Sequence, residues 1–347
     1  MSKRVLITGG AGFIGSSLSV ALATLHPDWD VLACDNLFRR GSELNLPRLK
    51  AAGVEFVHAD VRHSDDLERV GKIDALVECS AEPSVMAAVG GPTDYVVDTN
   101  LMGAYRCLEL AAKHDAQLIF LSTSRVYPVA ALEAMEHTEA ETRFELVDSD
   151  GVAEDFPLAG SRTLYGATKL ASELLITEYA ETYGIPTTVN RCGVIAGPWQ
   201  MGKVDQGVFT HWLLSHHQGK ALKYIGYGGT GKQVRDLLHV DDLTELVDLQ
   251  LSDPAHWAGT TFNVGGGRAG SLSLRETTEL CAQITGTTVA VTSAGETRPG
   301  DVRIYLSDCA ALYAHTDWRP SRPPQTVLAD ISAWIAANEA LVLSALG

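Results

Sequence analysis

The chain has 347 residues, 46% of them hydrophobic, and a formal net charge of -16 at pH 7. This length and composition suffice for a large buried core, in one large or two closely joined domains. The negative charge argues against a general nucleic-acid binder, because a phosphate backbone requires a basic surface. A small anionic ligand stays compatible, since it needs only local positive groups.

The six cysteines are widely spaced, form no C-x-x-C pair, and in several cases lie in apolar runs. This usage indicates buried free thiols in a reducing compartment, and we expect no metal site. Residues 1–4 lead directly into a strand-like run without a signal-peptide pattern, and no apolar stretch is long enough to span a membrane. We therefore expect a soluble, cytoplasmic protein.

A glycine-rich turn follows the first apolar run, residues 5–8, and precedes a helical pattern that extends to Leu25. Strand, glycine-rich turn and helix are the context in which a dinucleotide pyrophosphate binds, because the missing side chains and the helix N-terminus favour it. A plain glycine-rich turn is the alternative. The predicted cofactor contacts here are Gly9, Gly12, Phe13, Ile14 and Gly15.

Two later strand patterns end in carboxylates. Asp35 ends the second strand, twenty residues after Gly15, where an acid accepts hydrogen bonds from a ribose diol and repels a 2′-phosphate. NAD is therefore favoured over NADP, although Arg39 and Arg40 follow closely. Asp60 ends the third strand, where it either contacts the adenine or caps the helix that begins near Ser64.

Strand and helix patterns alternate up to residues 117–123 and predict an α/β fold, a Rossmann-type doubly wound parallel sheet with ligands at the carboxyl ends of its strands. After Arg191 this rhythm breaks at glycine- and proline-rich connections. We expect an NAD-binding domain of residues 1–192 and 237–265, and a smaller C-terminal α/β substrate domain of residues 193–236 and 266–347.

Tyr165 and Lys169 are four residues apart, so on a helix they share one face. A neighbouring ammonium lowers a phenol pKa from about 10 toward neutral pH, which makes a usable general acid or base. On its own the spacing is equally typical of a solvated helix surface.

Several motifs in order resemble the extended short-chain dehydrogenase/reductases, specifically their NAD-dependent sugar-nucleotide epimerases and dehydratases. The motifs are T-G-G-x-G-F-I-G from Thr8, Asn100, S-T-x-x-V-Y from Ser122, Tyr165-x-x-x-Lys169, residues 191–198, 233–242 and 262–266, and R-P-G-D from Arg298. The resemblance covers nearly the whole chain. It implies NAD as the cofactor, with contacts that also include Asn36, Val61 and Asn100.

The same resemblance assigns catalytic roles. Tyr165 is the acid/base at a sugar hydroxyl, Thr123 hydrogen-bonds the same oxygen, and Lys169 holds the nicotinamide ribose. The family's 4,6-dehydratases carry Asp-Glu directly after the catalytic threonine, whereas this chain has Ser124 and Arg125. Dehydration is therefore disfavoured, and epimerisation remains.

Within the family, a closer resemblance is to the enzymes that act at C2 of a CDP-hexose, the CDP-paratose (CDP-tyvelose) 2-epimerase branch. It rests on residues 34–41, residues 141–144 with the long insertion up to Tyr165, Asp205-Gln206-Gly207, and residues 231–236. Two departures are Pro128, where the family usually has glycine, and the Glu78-Cys79-Ser80-Ala81 turn, where it usually has a His-x-Ala-Gly type of sequence. The insertion, residues 128–162, either covers a site or is a disordered surface loop.

Arginines are the expected ligands of a nucleoside diphosphate, because a guanidinium binds phosphate oxygens well. Arg235 and Arg303 are the first candidates and Arg298 the second, with Ser124 and Arg125 nearer the sugar. The expected partners are a nucleotide sugar and a second copy of the chain, in a homodimer or a dimer of dimers, without nucleic acid or membrane. The alternatives are a UDP-sugar 4-epimerase and a catalytically idle NAD-binding regulatory protein.

Overall fold

The computed structural model describes residues 2–201 and 207–346. Asp205 and Gln206, which contribute to the resemblance above, lie outside this range. The chain forms two compact units. The first consists of residues 2–123, 164–191 and 244–261, and the second of the remaining described residues, including 124–163.

The strands are β1 Arg4–Thr8, β2 Asp30–Asp35, β3 Glu55–His58, β4 Ala75–Glu78, β5 Gln117–Thr123, β6 His137–Glu139, β7 Phe144–Leu146, β8 Thr187–Cys192, β9 Val194–Ala196, β10 Leu222–Ile225, β11 Val234–His239, β12 Thr260–Val264, β13 Ser271–Ser273, β14 Val291–Ala294 and β15 Ile304–Tyr305. The helices are α1 Phe13–Leu25, α2 Leu46–Ala51, α3 Ser64–Glu68, α4 Asp94–Val97, α5 Gly103–His114, α6 Val129–Glu133, α7 Leu164–Tyr183, α8 Val208–Gln218, α9 Val240–Ser252, α10 Pro254–Trp257, α11 Leu274–Thr285, α12 Ala310–His315, α13 Pro324–Ala337 and α14 Glu339–Leu346.

A seven-stranded sheet with the order β12-β8-β5-β4-β1-β2-β3 is the largest sheet of the described chain. The pairs β1–β2, β1–β4, β2–β3 and β4–β5 are all parallel. The strand order reverses direction between β1 and β4, and in doubly wound sheets ligands bind outside the carboxyl ends of the strands at this point. The predicted Rossmann-type fold is confirmed.

Central strands of this sheet are buried on both faces, which explains their continuous apolar sequences. All seven residues of β5 are buried, and its bounds agree with the predicted strand. Thr8, Glu78 and Thr123 are the last residues of β1, β4 and β5, so three polar side chains stand at one edge of the sheet.

Helix α7 is fixed to the sheet of the first unit by a buried carboxylate. Glu173 accepts hydrogen bonds from Ser122 of β5 and from the Arg191 guanidinium of β8, with an Nη2 to Oε2 distance of 2.8 Å. The Arg191 and Glu173 side chains are 8% and 6% exposed. The resulting bidentate contact sets the position of α7, the helix that carries Tyr165 and Lys169.

The second unit contains a four-stranded sheet in which β11 pairs with β13, β15 and β9. Strands β10 and β14 form a separate parallel pair. A capping box begins α11, because Ser273 accepts from the Glu276 backbone and Glu276 accepts from the Ser273 backbone.

The insertion is ordered, so its interpretation as a disordered loop is wrong. It contains α6 and the antiparallel pair of β6 and β7. Phe144 and Leu146 of β7 are buried against Val234, Ile304 and Leu306 of the second unit. The insertion therefore belongs to the core of that unit.

The six cysteines are free thiols, and all except Cys79 are buried. Burial raises the pKa of Cys281 and Cys309 to about 12, so these thiols stay protonated. No single helix among residues 2–201 and 207–346 is long and apolar enough to cross a membrane; α13 and α14 meet the criterion only as a pair, across a 92° bend.

Replacing Glu173 tests how strongly the buried carboxylate fixes α7. We predict that Glu173→Ala lowers the free energy of unfolding by about 3 to 5 kcal/mol, because it leaves the Arg191 cation buried without a partner. The matched control is Glu68→Ala, which removes a pair with Lys113 in which both side chains are 59% exposed, and we expect an effect of about 1 kcal/mol or less. Urea denaturation compares the two, and equal effects would contradict the assignment.

Candidate active site

The glycine-rich turn has a backbone that tolerates no side chain at two positions. Gly9 has a φ of +59°, and a Cβ there would lie 2.9 Å from the Cys79 carbonyl oxygen. A Cβ on Gly15 would overlap the Gly9 carbonyl oxygen. The turn therefore presents bare backbone at the carboxyl end of β1, as close approach of a pyrophosphate requires.

The N-terminus of α1 is open to an anion. Its N-cap is Gly12, which supplies no side-chain cap, and its first turn, which includes Phe13 and Ile14, contains no acidic residue. The uncapped N–H groups and the positive end of the helix dipole favour a phosphate. Together with the bare turn, this geometry fits the pyrophosphate of a dinucleotide.

Asp35 ends β2 beside this turn. Its carboxylate accepts hydrogen bonds from the Ala11 and Leu37 backbone at 3.2 and 2.8 Å. Burial raises its pKa, against the lowering effect of these N–H groups. A carboxylate fixed at this position suits a ribose diol and disfavours a 2′-phosphate.

Asp60 does not cap α3, because the N-cap of that helix is His63. Its carboxylate instead binds the Arg62 guanidinium at 2.7 Å and the Asn36 amide at 3.0 Å. Burial opposes its charge, but Arg62 and Asn36 outweigh this effect and hold the pKa of Asp60 below its usual value. Asn36, Asp60 and the buried Val61 thus meet beside the ends of β2 and β3.

Asn100 lies in a π-helical turn, Asp98–Met102, between α4 and α5. Its side chain pairs with the Glu82 backbone, accepting from the N–H at 2.7 Å and donating to the carbonyl at 3.1 Å. Ser172 of α7 donates to the Asn100 carbonyl at 3.2 Å. Asn100 therefore joins the segment after β4 to α7, and such π turns occur often at functional sites.

Lys169 lies deep in the first unit, with 2% of its side chain exposed. Its Nζ is 4.2 Å from the centre of the Phe120 ring and 3.3 Å from Oε2 of Glu78. Burial lowers the pKa of Lys169, but the Glu78 carboxylate and Tyr165 more than offset this, and the pKa is raised overall. The lysine thus stays a cation one helical turn from Tyr165, which is half-buried at the start of α7.

Glu78 is a site residue that the sequence reasoning did not assign. In the sequence it stands only as part of a departure from the usual His-x-Ala-Gly turn, whereas in the structure its buried carboxylate is the ion-pair partner of Lys169. An acidic residue at the end of an otherwise apolar strand was the signal available. Its partner lies 91 positions away, so the pairing itself required the fold.

Three predicted substrate arginines meet in the second unit at the segment 298–303. Arg125, in the turn that begins at Ser124, donates to the Gly300 carbonyl at 2.9 Å. Arg235 binds the Asp301 carboxylate at 2.7 Å. The side chain of Arg298, within the segment, is half-buried and makes no hydrogen bond or ion pair with any described residue.

Arg303 has a different environment. Its guanidinium lies over the Phe144 and Tyr227 rings, at 5.3 and 5.0 Å from their centres. It also contacts His137 at 3.1 Å and Glu133 at 3.6 Å. These contacts hold Arg303 against the insertion, so its guanidinium has protein partners already.

Comparisons with known proteins agree with this geometry. Residues 5–265 match the model of the NAD dependent epimerase/dehydratase family. A CDP-paratose 2-epimerase of Salmonella typhi is 30% identical, over 91% of this chain and 94% of the relative.

Two solved structures are also similar to this chain. A dTDP-glucose 4,6-dehydratase of Streptomyces venezuelae, solved as a double mutant with NAD, is 29% identical with a TM-score of 0.80, over 97% of this chain and 98% of that one. A UDP-glucose 4-epimerase of Thermus thermophilus, also solved with NAD, is 27% identical with a TM-score of 0.77, over 96% and 99%.

The chain therefore belongs to the NAD dependent epimerase/dehydratase family, and its cofactor is NAD. The bare turn, the uncapped helix and the Asp35 carboxylate fit this cofactor. The predicted family and cofactor are confirmed.

Substituting a glycine of the turn tests the cofactor site. We predict that Gly15→Ala weakens NAD binding by at least about tenfold, because the new methyl group forces the Gly9 carbonyl out of place. Gly91→Ala is the matched control, since a Cβ there meets no atom within 4 Å. Isothermal titration with NAD measures both variants, and unchanged affinity in Gly15→Ala would refute the site.

Proposed function

We propose that the protein epimerises a nucleotide-activated sugar, with C2 of a CDP-hexose as the position of inversion. The observation that carries the proposal is the pair Ser124 and Arg125 directly after Thr123. A serine hydroxyl and a guanidinium cannot act as the acid/base pair of an elimination near neutral pH. Epimerisation needs only a reversible oxidation, for which NAD would be the oxidant and Thr123, Tyr165 and Lys169 would bind and move the proton.

The nucleotide and the carbon are inferred from likeness. The CDP-paratose 2-epimerase of Salmonella typhi is 30% identical over 91% of this chain and 94% of that relative, which supports the CDP-hexose. The T. thermophilus UDP-glucose 4-epimerase supports the second candidate, a UDP-sugar 4-epimerase, because the same three residues serve either reaction.

The glycine-rich turn, Asp35 and Lys169 would hold NAD, which would supply the hydride acceptor and donor for the oxidation and reduction of the sugar carbon. Tyr165 takes the hydroxyl proton as the hydride leaves and gives it back when the carbinol is restored. Thr123 donates a hydrogen bond to the same oxygen. The Lys169 cation favours the phenolate of Tyr165 and binds the cofactor's ribose hydroxyls.

We assign the diphosphate of the substrate first to Arg298. Its guanidinium is uncommitted among the described residues, whereas Arg303 is enclosed by two rings, a histidine and a carboxylate. Arg235 is second, because its guanidinium already donates to the Asp301 carboxylate and to the Val234 and Val302 carbonyls, which leaves two of its five N–H groups for a phosphate. Arg125 and Ser124 contact the sugar.

We further propose that residues 1–192 and 237–265 bind NAD and that residues 193–236 and 266–347 bind the substrate. A homodimer is supported by exposed apolar side chains on α7, where Leu174 and Tyr183 are 64% and 65% exposed. The free thiols are suited to the reducing cytoplasm.

The proposal predicts interconversion of sugar nucleotides without net formation of NADH. Purified protein is incubated with CDP-, UDP-, GDP- and dTDP-sugars, including CDP-paratose, and the products are resolved by chromatography and NMR. We expect a 2-epimer from the CDP-hexose. Inversion at C4 of a UDP-sugar would identify the second candidate, and steady accumulation of NADH would indicate a net dehydrogenase and refute epimerisation.

Two variants test the proposed roles of Tyr165 and Arg298 in this assay. Tyr165→Phe should lose about 99% of turnover or more while binding NAD normally, because it lacks the proton carrier. Arg298→Gln should raise KM about tenfold or more with kcat little changed, since diphosphate binding is common to ground and transition states. Arg275→Gln, which removes a surface pair with Glu279, is the control and should match the parent protein.

A further inference from the structure

We propose that Glu78 is a positioning residue that sets the protonation equilibrium of Tyr165 through Lys169. The inference rests on the proposed role of Tyr165 as acid/base. The Glu78 carboxylate is a charge that the chemistry itself does not require, because the family motif usually has a histidine at this position.

The Glu78 carboxylate has a defined set of contacts. Its Oε2 is 3.3 Å from Lys169 Nζ, and its Oε1 accepts a hydrogen bond from Ser80. Ser80 in turn contacts the Thr8 hydroxyl at 3.3 Å. The Glu78 side chain is 1% exposed, so water screens the ion pair very little.

Lys169 has no other carboxylate within 4 Å among residues 2–201 and 207–346. Its Nζ also lies over the face of the Phe120 ring, which attracts a cation but carries no net charge. The charge of Lys169 is therefore balanced by Glu78 before any ligand binds.

Other titratable groups face the pair from the surrounding elements. They are Tyr165 on α7, Cys79 beside β4, Cys107 on α5 and Cys34 on β2. Burial raises the pKa values of Cys34 and Cys107 above the ordinary range, so both thiols stay neutral. Tyr165 is therefore the neighbour of Lys169 that gains and loses a proton in the proposed reaction.

Charge balance determines the direction of the effect. Before the Tyr165 proton is lost, the group of Glu78, Lys169 and Tyr165 is neutral, and its loss gives the group a net negative charge beside two buried side chains. Without that carboxylate, the same proton loss converts a net positive pair into a neutral one. Because buried net charge is unfavourable, the carboxylate of Glu78 keeps the tyrosine protonated to higher pH.

A consequence for the reaction is that Tyr165 holds the proton that it takes from the sugar hydroxyl more firmly than it would beside an uncompensated lysine. The proton therefore stays on the phenol during the oxidised stage and is available to the sugar oxygen when the carbinol is restored. This fits a reaction in which oxidation must always be followed by reduction.

The test uses NAD-loaded protein without any sugar. The titration of Tyr165 is followed by ultraviolet difference absorbance, as the signal of each protein minus that of its Tyr165→Phe counterpart. Glu78→Gln keeps the shape of the side chain and removes its charge, and we expect it to lower the tyrosine pKa by about 1 unit or more. Glu78→Asp keeps the charge and should leave the pKa close to the parent value.

An unchanged or raised tyrosine pKa in folded Glu78→Gln would overturn the proposal. Circular dichroism and NAD titration establish folding, and if Glu78→Gln does not fold, Glu78→His replaces it with the same expected direction. The readout needs no substrate. Absence of epimerisation with every sugar nucleotide would therefore refute the proposed function while the tyrosine shift still decided the role of Glu78.

Discussion

The structure of the first unit depends on keeping the ammonium of Lys169 buried and charged in the second turn of α7. Removing a cation from water is costly unless a counter-charge replaces the lost hydration. Glu78 supplies that charge from the end of β4, and the Phe120 ring of β5 covers the other side. Helix α7 must therefore begin beside the carboxyl end of β4 and pack against its neighbour β5.

A second buried charge fixes the same helix further along. Glu173 binds Arg191 and Ser122, so α7 is held to β5 and β8 one turn beyond Lys169. Two polar attachments at defined positions restrict sliding or rotation of α7 more than apolar packing alone would. The position of Tyr165 follows from these contacts.

The features that could be predicted from the sequence are those that depend on residues close together in the chain. The glycine-rich turn, the Asp35 carboxylate and the bounds of β5 each depend on neighbouring residues, and the structure has them where the spacing indicated. The tyrosine and lysine of α7 were found for the same reason, since one helical turn places them together.

Pairings between distant segments could not be read from the sequence. Glu78 and Lys169 meet only because β4 lies beside α7, and the partners of Arg303 come from the insertion. Residues 128–162 showed no long periodic pattern, so their short helix and hairpin, stabilised by contacts with β11 and β15, were not expected. Local patterns are weak where tertiary contacts supply most of the stability.

The central claim is that a hydride leaves a sugar carbon and returns to the same carbon within one active site. The most direct measurement uses a CDP-hexose with deuterium at C2, incubated with the protein in ordinary water and followed by NMR. If the hydride is returned to the carbon that it left, the 2-epimer retains the deuterium at C2. A product in which solvent hydrogen has replaced the deuterium would show deprotonation next to a carbonyl instead and would rule out direct hydride return.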